Sequence, residues 1–153
     1  MLPPTERSSP KILIVDDQPT NVRLLELTLR RAGYTEVMST TEPCEVSPLH
    51  LEHRYDLILL DLQMPRMNGL QVMTRLQEIR ASRPVLVLVL SADPSRRLAA
   101  TAAGADSFLA KPFRLPEIVE RVELLLKTGR HSGLQCARPG SFRAATRAED
   151  PAD

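Results

Sequence analysis

Four short apolar runs punctuate the chain: Lys11-Ile-Leu-Ile-Val15, Asp56-Leu-Ile-Leu-Leu60, Val85-Leu-Val-Leu-Val-Leu90 and the weaker Ser107-Phe-Leu-Ala110. Runs this short, apolar at successive rather than alternate positions, predict strands buried on both faces. Glu36-Val-Met-Ser-Thr40 predicts a fifth strand, after Gly33, which sits where a helix C-cap glycine belongs. Between the runs the apolar residues change to helical spacing. Pro19 suits a first helical turn, with Val22, Leu25, Leu29 and Ala32 behind it, and Leu70 to Ile79 and Arg96 to Ala103 are further helices. Leu115 to Lys127 closes the set, with Ile118, Val119, Val122, Leu125 and Leu126 as an apolar stripe. Pro43 and Pro48 fall where the second helix belongs, so a short or late helix is expected there.

Strand then helix, five times over, predicts an α/β fold: a parallel sheet with helices on both faces. In such sheets the ligand site lies beyond the carboxyl ends of the strands. The boundaries follow from composition. Residues 1–10 carry three prolines and read as a disordered lead-in, and 128–153, rich in Gly and Pro with Leu134 and Phe142 as its only large apolar residues, reads as a disordered tail. Residues 11–127 hold 15 basic and 15 acidic side chains and form the single folded domain. The tail is too short for a DNA-binding or enzymatic output domain, so none is expected.

Charge and composition remove several function classes. A net charge of +1 and five aromatic residues with no Trp give neither an electrostatic footprint for nucleic acid nor a stacking platform for single strands. No apolar stretch approaches the roughly 20 residues of a membrane span, and no signal peptide is visible, so a cytoplasmic protein is expected. Cys44 and Cys136 form no CxxC pair, and His50, His53 and His131 have no carboxylate cluster of ligand spacing around them. Neither a GxGxxG nor a GxxxxGK[ST] pattern occurs, which removes dinucleotide and nucleotide folds of those types.

The carboxyl ends of the predicted strands carry the chemistry. Asp16 and Asp17 follow the first, Asp61 the third, Ser91 the fourth and Lys111 the fifth. Three carboxylates in one cleft repel one another, and a divalent cation relieves that repulsion. Oxygen ligands without His or Cys point to a hard ion such as Mg2+, which keeps positions open for phosphate oxygens. Lys111 offers a compact positive charge to a phosphoryl oxygen and Ser91 a hydroxyl donor. Asp61, on the strand expected to be central, is the candidate nucleophile, since carboxylates accept phosphoryl groups covalently. Asp16 and Asp17 then serve the metal. Phosphoryl transfer relies on positioning and charge neutralisation, so it needs no histidine in the cluster.

With these residues in view the chain resembles the receiver domain of bacterial two-component response regulators. The resemblance rests on Ile12-Leu-Ile-Val-Asp-Asp17, Leu57-Ile-Leu-Leu-Asp-Leu-Gln-Met-Pro-Arg-Met-Asn-Gly69, Leu90-Ser-Ala92 and Gly104-Ala-Asp-Ser-Phe-Leu-Ala-Lys-Pro-Phe113, and covers residues 11–127. It implies a doubly wound, flavodoxin-like five-stranded sheet of order 2-1-3-4-5, the order that a member of this family illustrates. Asp61 is then the phosphoacceptor, taking its phosphoryl group from a phosphohistidine on a sensor histidine kinase or a histidine phosphotransfer protein. Mg2+ is held by Asp17 and Asp61 directly, by the Gln63 carbonyl, and by Asp16 through water. Lys111, before a proline that is cis in the family, pairs with the phosphoryl group; Ser91 and Phe108 form the switch; Gln63 and Asp93 tune the hydrolytic water. Phe108 stands where the family more often has Tyr, so no signal can use a phenolic hydroxyl.

The resemblance makes the chain no enzyme beyond its own phosphorylation and dephosphorylation. It admits a dimer that forms on phosphorylation, and leaves the downstream target open. The alternatives are a pseudo-receiver that binds partners without phosphorylation, or the receiver piece of a larger hybrid kinase or cyclic-dinucleotide enzyme. A haloacid-dehalogenase-type phosphatase needs two aspartates separated by one residue, whereas Asp16 and Asp17 are adjacent. Two charge-assisted hydrogen bonds at roughly 1.5–3 kcal/mol each approach the roughly 5.5 kcal/mol of an all-or-none shift only if both are absent at rest. A partial population of the active form before phosphorylation is therefore expected.

Overall fold

The computed structural model describes residues 9–62 and 69–135. Five strands, β1 (Lys11–Val15), β2 (Glu36–Thr40), β3 (Leu57–Asp61), β4 (Leu86–Ser91) and β5 (Ser107–Ala110), form one sheet in the order β2-β1-β3-β4-β5. Every pairing is parallel, with Leu13 opposite Ile58, Leu59 opposite Leu88 and Val89 opposite Phe108. The helices between them are α1 (Pro19–Arg31), α2 (Val46–His53), α3 (Gly69–Ile79), α4 (Arg97–Ala102) and α5 (Leu115–Gln135). This is the expected order and topology.

Alternation along the strands divides the core in two. Ile12, Ile14, Leu57, Leu59, Leu88, Leu90 and Leu109 face α1 and α5, meeting Val22, Leu25, Leu29, Ile118 and Val122. Leu13, Val15, Ile58, Leu60, Val87, Val89 and Phe108 face the other helices, meeting Val46, Val72, Met73, Leu76 and Ala100. Continuous apolar runs are what a sheet covered on both faces requires.

The local signals mostly hold. Pro19 is in the first turn of α1, and Gly33, at φ 107°, turns the chain so that the Tyr34 N–H reaches the Leu29 carbonyl at 3.1 Å. The expected short second helix is α2, preceded by a 3-10 turn at Pro43–Glu45; Pro48 sits in its first turn. The expected helix over Arg96 to Ala103 divides into a 3-10 turn, Pro94–Arg96, and the six-residue α4. Strand ends move by a residue: Asp61 and Ser91 close β3 and β4 rather than following them.

One boundary needs correction. The helix expected to end at Lys127 runs to Gln135, so the first eight residues of the expected tail are helical. Glycine in a helix interior costs about 1 kcal/mol against alanine and does not terminate it as proline does. The Thr128 hydroxyl folds back onto the helix and donates to the Leu124 carbonyl at 2.8 Å. The remaining tail, and the lead-in up to Ser8, lie outside the described residues.

Arginines cover both outer strands. Arg30 of α1 donates to the Val37 carbonyl of β2 at 2.8 Å, and Arg121 of α5 to the Phe108 carbonyl of β5 at 3.1 Å. Edge strands left open template unwanted pairing.

Candidate functional site

Parallel strands in register bring their carboxyl ends to one edge. Asp61 is opposite Leu90 and Ser91 opposite Ala110, while Asp16 and Lys111 each leave their strand one residue later. Backbone bonds continue the ladder past the strands: Asp16 N–H to the Thr40 carbonyl at 3.3 Å, and Lys111 N–H to the Ser91 carbonyl at 2.8 Å. The site residues are therefore held at the carboxyl edge of the sheet by its hydrogen-bond ladder.

One carboxylate oxygen from each of Asp16, Asp17 and Asp61 lies within 4.8 Å of the others. Asp16 and Asp61 are buried and Asp17 is half-buried. The Lys111 Nζ stands 3.5 Å from the Asp61 Oδ1, and the peptide from Lys111 to Pro112 is cis. Among the described residues Lys111 is the cation set against the three carboxylates, and their all-oxygen donors suit a hard divalent ion. Asp16 also shapes the loop, its Oδ1 accepting the Gln18 N–H at 2.9 Å just before α1.

The remaining expected residues are distributed as follows. Ser91 is fully buried at the same edge, and its hydroxyl accepts the Asp93 N–H at 3.0 Å. Asp93 faces away into its own turn, its Oδ1 accepting from the Ser95 hydroxyl at 2.6 Å and the Ser95 N–H at 3.0 Å. Those bonds, the hydroxyl first, hold the Asp93 carboxyl below its ordinary value. Phe108 is buried against the α4 side of the sheet, 3% exposed. Gln63 lies outside the described residues. A cavity of about 440 Å³ opens beside the cluster, walled by Leu24, Leu25, Pro112 and Phe113 and bordered by Asp16 and Lys111.

Sequence reasoning missed three residues. Gly69 abuts the site from behind: a Cβ there would stand 2.6 Å from the Leu62 Cα and 2.9 Å from the Asp61 carbonyl oxygen. A glycine eight positions after the nucleophile was the available signal. Arg97 lays its guanidinium over the Phe108 ring, 4.8 Å from the centroid. His50 is buried at the corner before β3, its Nδ1 accepting the Tyr55 N–H at 3.1 Å and its Nε2 standing 2.8 Å from the Arg83 carbonyl. Nδ1 as acceptor makes the ring neutral with the proton on Nε2, and burial holds its pKa below the ordinary value. No local pattern marked either of the last two.

Comparison with known proteins agrees with this geometry. The model of the response regulator receiver domain matches residues 12–123. The transcriptional regulatory protein SrrA of Staphylococcus aureus is 35% identical over 131 residues, covering 86% of this chain and 54% of SrrA. The chain thus spans about half the length of the curated relatives it matches. Among solved structures, the response regulator TrrA of Thermotoga maritima, in complex with Mg2+ and BeF, superposes with a TM-score of 0.66 at 32% identity, covering 76% of this chain and 98% of that one. The chemotaxis protein CheY4 of Vibrio cholerae superposes with a TM-score of 0.70 at 26% identity, with the same two coverages.

Proposed function

This chain belongs to the response regulator receiver-domain family, and from that premise we propose that Asp61 is its phosphoacceptor, served by Mg2+ and by Lys111. The observation that carries the assignment is the convergence of three carboxylate oxygens within 4.8 Å, with Lys111 Nζ 3.5 Å from Asp61. A receiver is the phosphoacceptor of a two-component system, and among the described residues this is the one acidic cluster of its kind.

The donor is a phosphohistidine of a sensor kinase or a phosphotransfer protein. An Asp61 oxygen bonds to phosphorus as the phosphorus–nitrogen bond breaks, and the imidazole leaves with that electron pair. Asp16, Asp17 and Asp61 supply the carboxylates of the Mg2+ site, and the ion, when bound, offsets the charge shared by nucleophile and phosphoryl group. Lys111 meets a phosphoryl oxygen as a point charge. The Ser91 hydroxyl turns its O–H from the Asp93 carbonyl, 3.5 Å away, to another phosphoryl oxygen, and Phe108 carries the change toward α4. The chain is no enzyme toward other substrates, acts in the cytoplasm, and passes its signal to a partner or an attached output domain. Among the described residues no helix is long and apolar enough to cross a membrane.

The test uses a small phosphodonor with Mg2+ and intact-protein mass spectrometry. Wild type gains one phosphoryl group, and Asp61→Asn gains none. A wild type that gains nothing while remaining folded would leave a partner-binding module without phosphorylation.

A further inference from the structure

Helix α4 is poorly anchored. Of its six residues only Ala100 is buried, and Leu98 is 81% exposed. Its N-terminus is approached through the Asp93 turn rather than through a capping side chain of its own. Apolar burial, which fastens the longer helices, contributes little here.

Arg97 supplies the missing contact. It stands at the first position of α4 with its guanidinium 4.8 Å from the centroid of the buried Phe108 ring. Phe108 is gripped from the other side as well, since Arg121 of α5 donates to its carbonyl at 3.1 Å and to the Ser107 hydroxyl at 2.8 Å. The same short strand leads to Lys111, three residues on, and pairs with β4 up to Ser91.

We propose that Arg97 is a positioning residue that holds α4 against β5 through the face of Phe108, and so sets how often α4 opens before any phosphoryl group arrives. A phenylalanine lacks the hydroxyl by which a tyrosine could hydrogen-bond a neighbouring helix; its π-face remains, and a guanidinium can use it. A cation–π contact of about 0.5–1 kcal/mol at a solvent-exposed site corresponds to a roughly two- to five-fold change in an opening equilibrium. That is large for a helix with one buried residue. The connection from this latch to signalling rests on the phosphoacceptor reading above.

Amide hydrogen exchange of the full chain tests the two separately. Without phosphodonor, Arg97→Ala and Arg97→Gln should speed exchange across α4 two- to five-fold, with α2 and the melting temperature almost unchanged. Arg97→Lys, which keeps a cation, should restore much of the protection. Exchange in Arg97→Ala equal to wild type, or an equal rise throughout the domain, overturns the latch. Mg2+ with fluoroberyllate is the second arm: in wild type it should change α4 exchange. If it changes none while Arg97→Ala still loosens α4, the latch stands and the phosphoacceptor reading falls.

Discussion

Replacing Lys111 by methionine removes the positive charge beside Asp61 while keeping most of the side-chain volume. Its Nζ is 3.5 Å from the Asp61 Oδ1, and the lysine side chain is about a quarter exposed against 5% for the aspartate. The charge serves two steps with opposite sign. It attracts the arriving phosphoryl oxygens, and a charge-assisted hydrogen bond of roughly 1.5–3 kcal/mol formed in the transition state is worth about 10- to 150-fold in rate. It also repels a divalent cation in the same cluster, so its loss should tighten Mg2+ binding.

The expected result for Lys111→Met is therefore split: phosphorylation by a small phosphodonor slows by one to two orders of magnitude at saturating Mg2+, while Mg2+ binds more tightly. Stopped-flow measurement of phosphorylation across Mg2+ concentrations separates the effects, and urea unfolding confirms that the variant is folded. If both steps weaken together, Lys111 acts by supporting the loop rather than through its charge. If neither changes, its proposed role is wrong.

His50 makes stability depend on pH. Burial places its folded pKa below 6.5, so its contribution is fully present above pH 6.5 and is lost as pH falls from there through the folded value. The slope reaches at most about 1.4 kcal/mol per pH unit; urea unfolding from pH 7.5 to 5 should show it, His50→Gln should flatten it, and an unchanged slope removes the assignment. At Gly69 a methyl group meets backbone at 2.6 and 2.9 Å, so Gly69→Ala should cost about 1–3 kcal/mol in urea unfolding and slow phosphorylation of Asp61; a variant as stable and as fast as wild type refutes that packing. Because Asp93 is engaged by Ser95, the phosphoaspartate half-life should shift in Asp93→Ala and be restored in Asp93→Asn, which keeps an acceptor. An equal change in both would instead assign Asp93 a charge effect on the hydrolytic water.

The sheet was legible because its strands are buried on both faces: every position in Ile12–Val15 and Leu57–Leu60 had to be apolar, and so had to show. The carboxylates were legible for a related reason, since a polar residue at the end of such a run is conspicuous and a parallel sheet collects those ends. Where single residues act through tertiary contacts, no local pattern existed. His50 looked like an unremarkable polar residue because its partners, Tyr55 N–H and the Arg83 carbonyl, are backbone groups. Arg97 could be paired with Phe108 only once α4 and β5 were adjacent. The end of α5 was not legible because Gly129 and Gly133 look like terminators in sequence, whereas a helix interior accommodates each at a cost of about 1 kcal/mol.

The resting contacts bear directly on how sharply the domain can switch. A shift from 1:99 to 99:1 needs about 5.5 kcal/mol of differential interaction, and the two charged bonds available to a phosphoryl group reach that only if both groups begin without partners. Neither does. The Ser91 O–H already donates to the Asp93 carbonyl at 3.5 Å, so turning it to a phosphoryl oxygen exchanges one accepting partner for another. Lys111 already stands 3.5 Å from Asp61, so the added charge strengthens an existing attraction. Phe108 is already buried beneath Arg97. Each pre-existing contact subtracts from what phosphorylation can add, and the net falls short of an all-or-none shift. The domain should therefore hold a measurable minority of its active conformation at rest and an inactive remainder when phosphorylated. NMR relaxation dispersion at Ser91, Phe108 and the α4 amides, without phosphodonor, should detect that minor state. Flat dispersion profiles at all of them would mean that the resting contacts cost the switch nothing and that the reasoning fails.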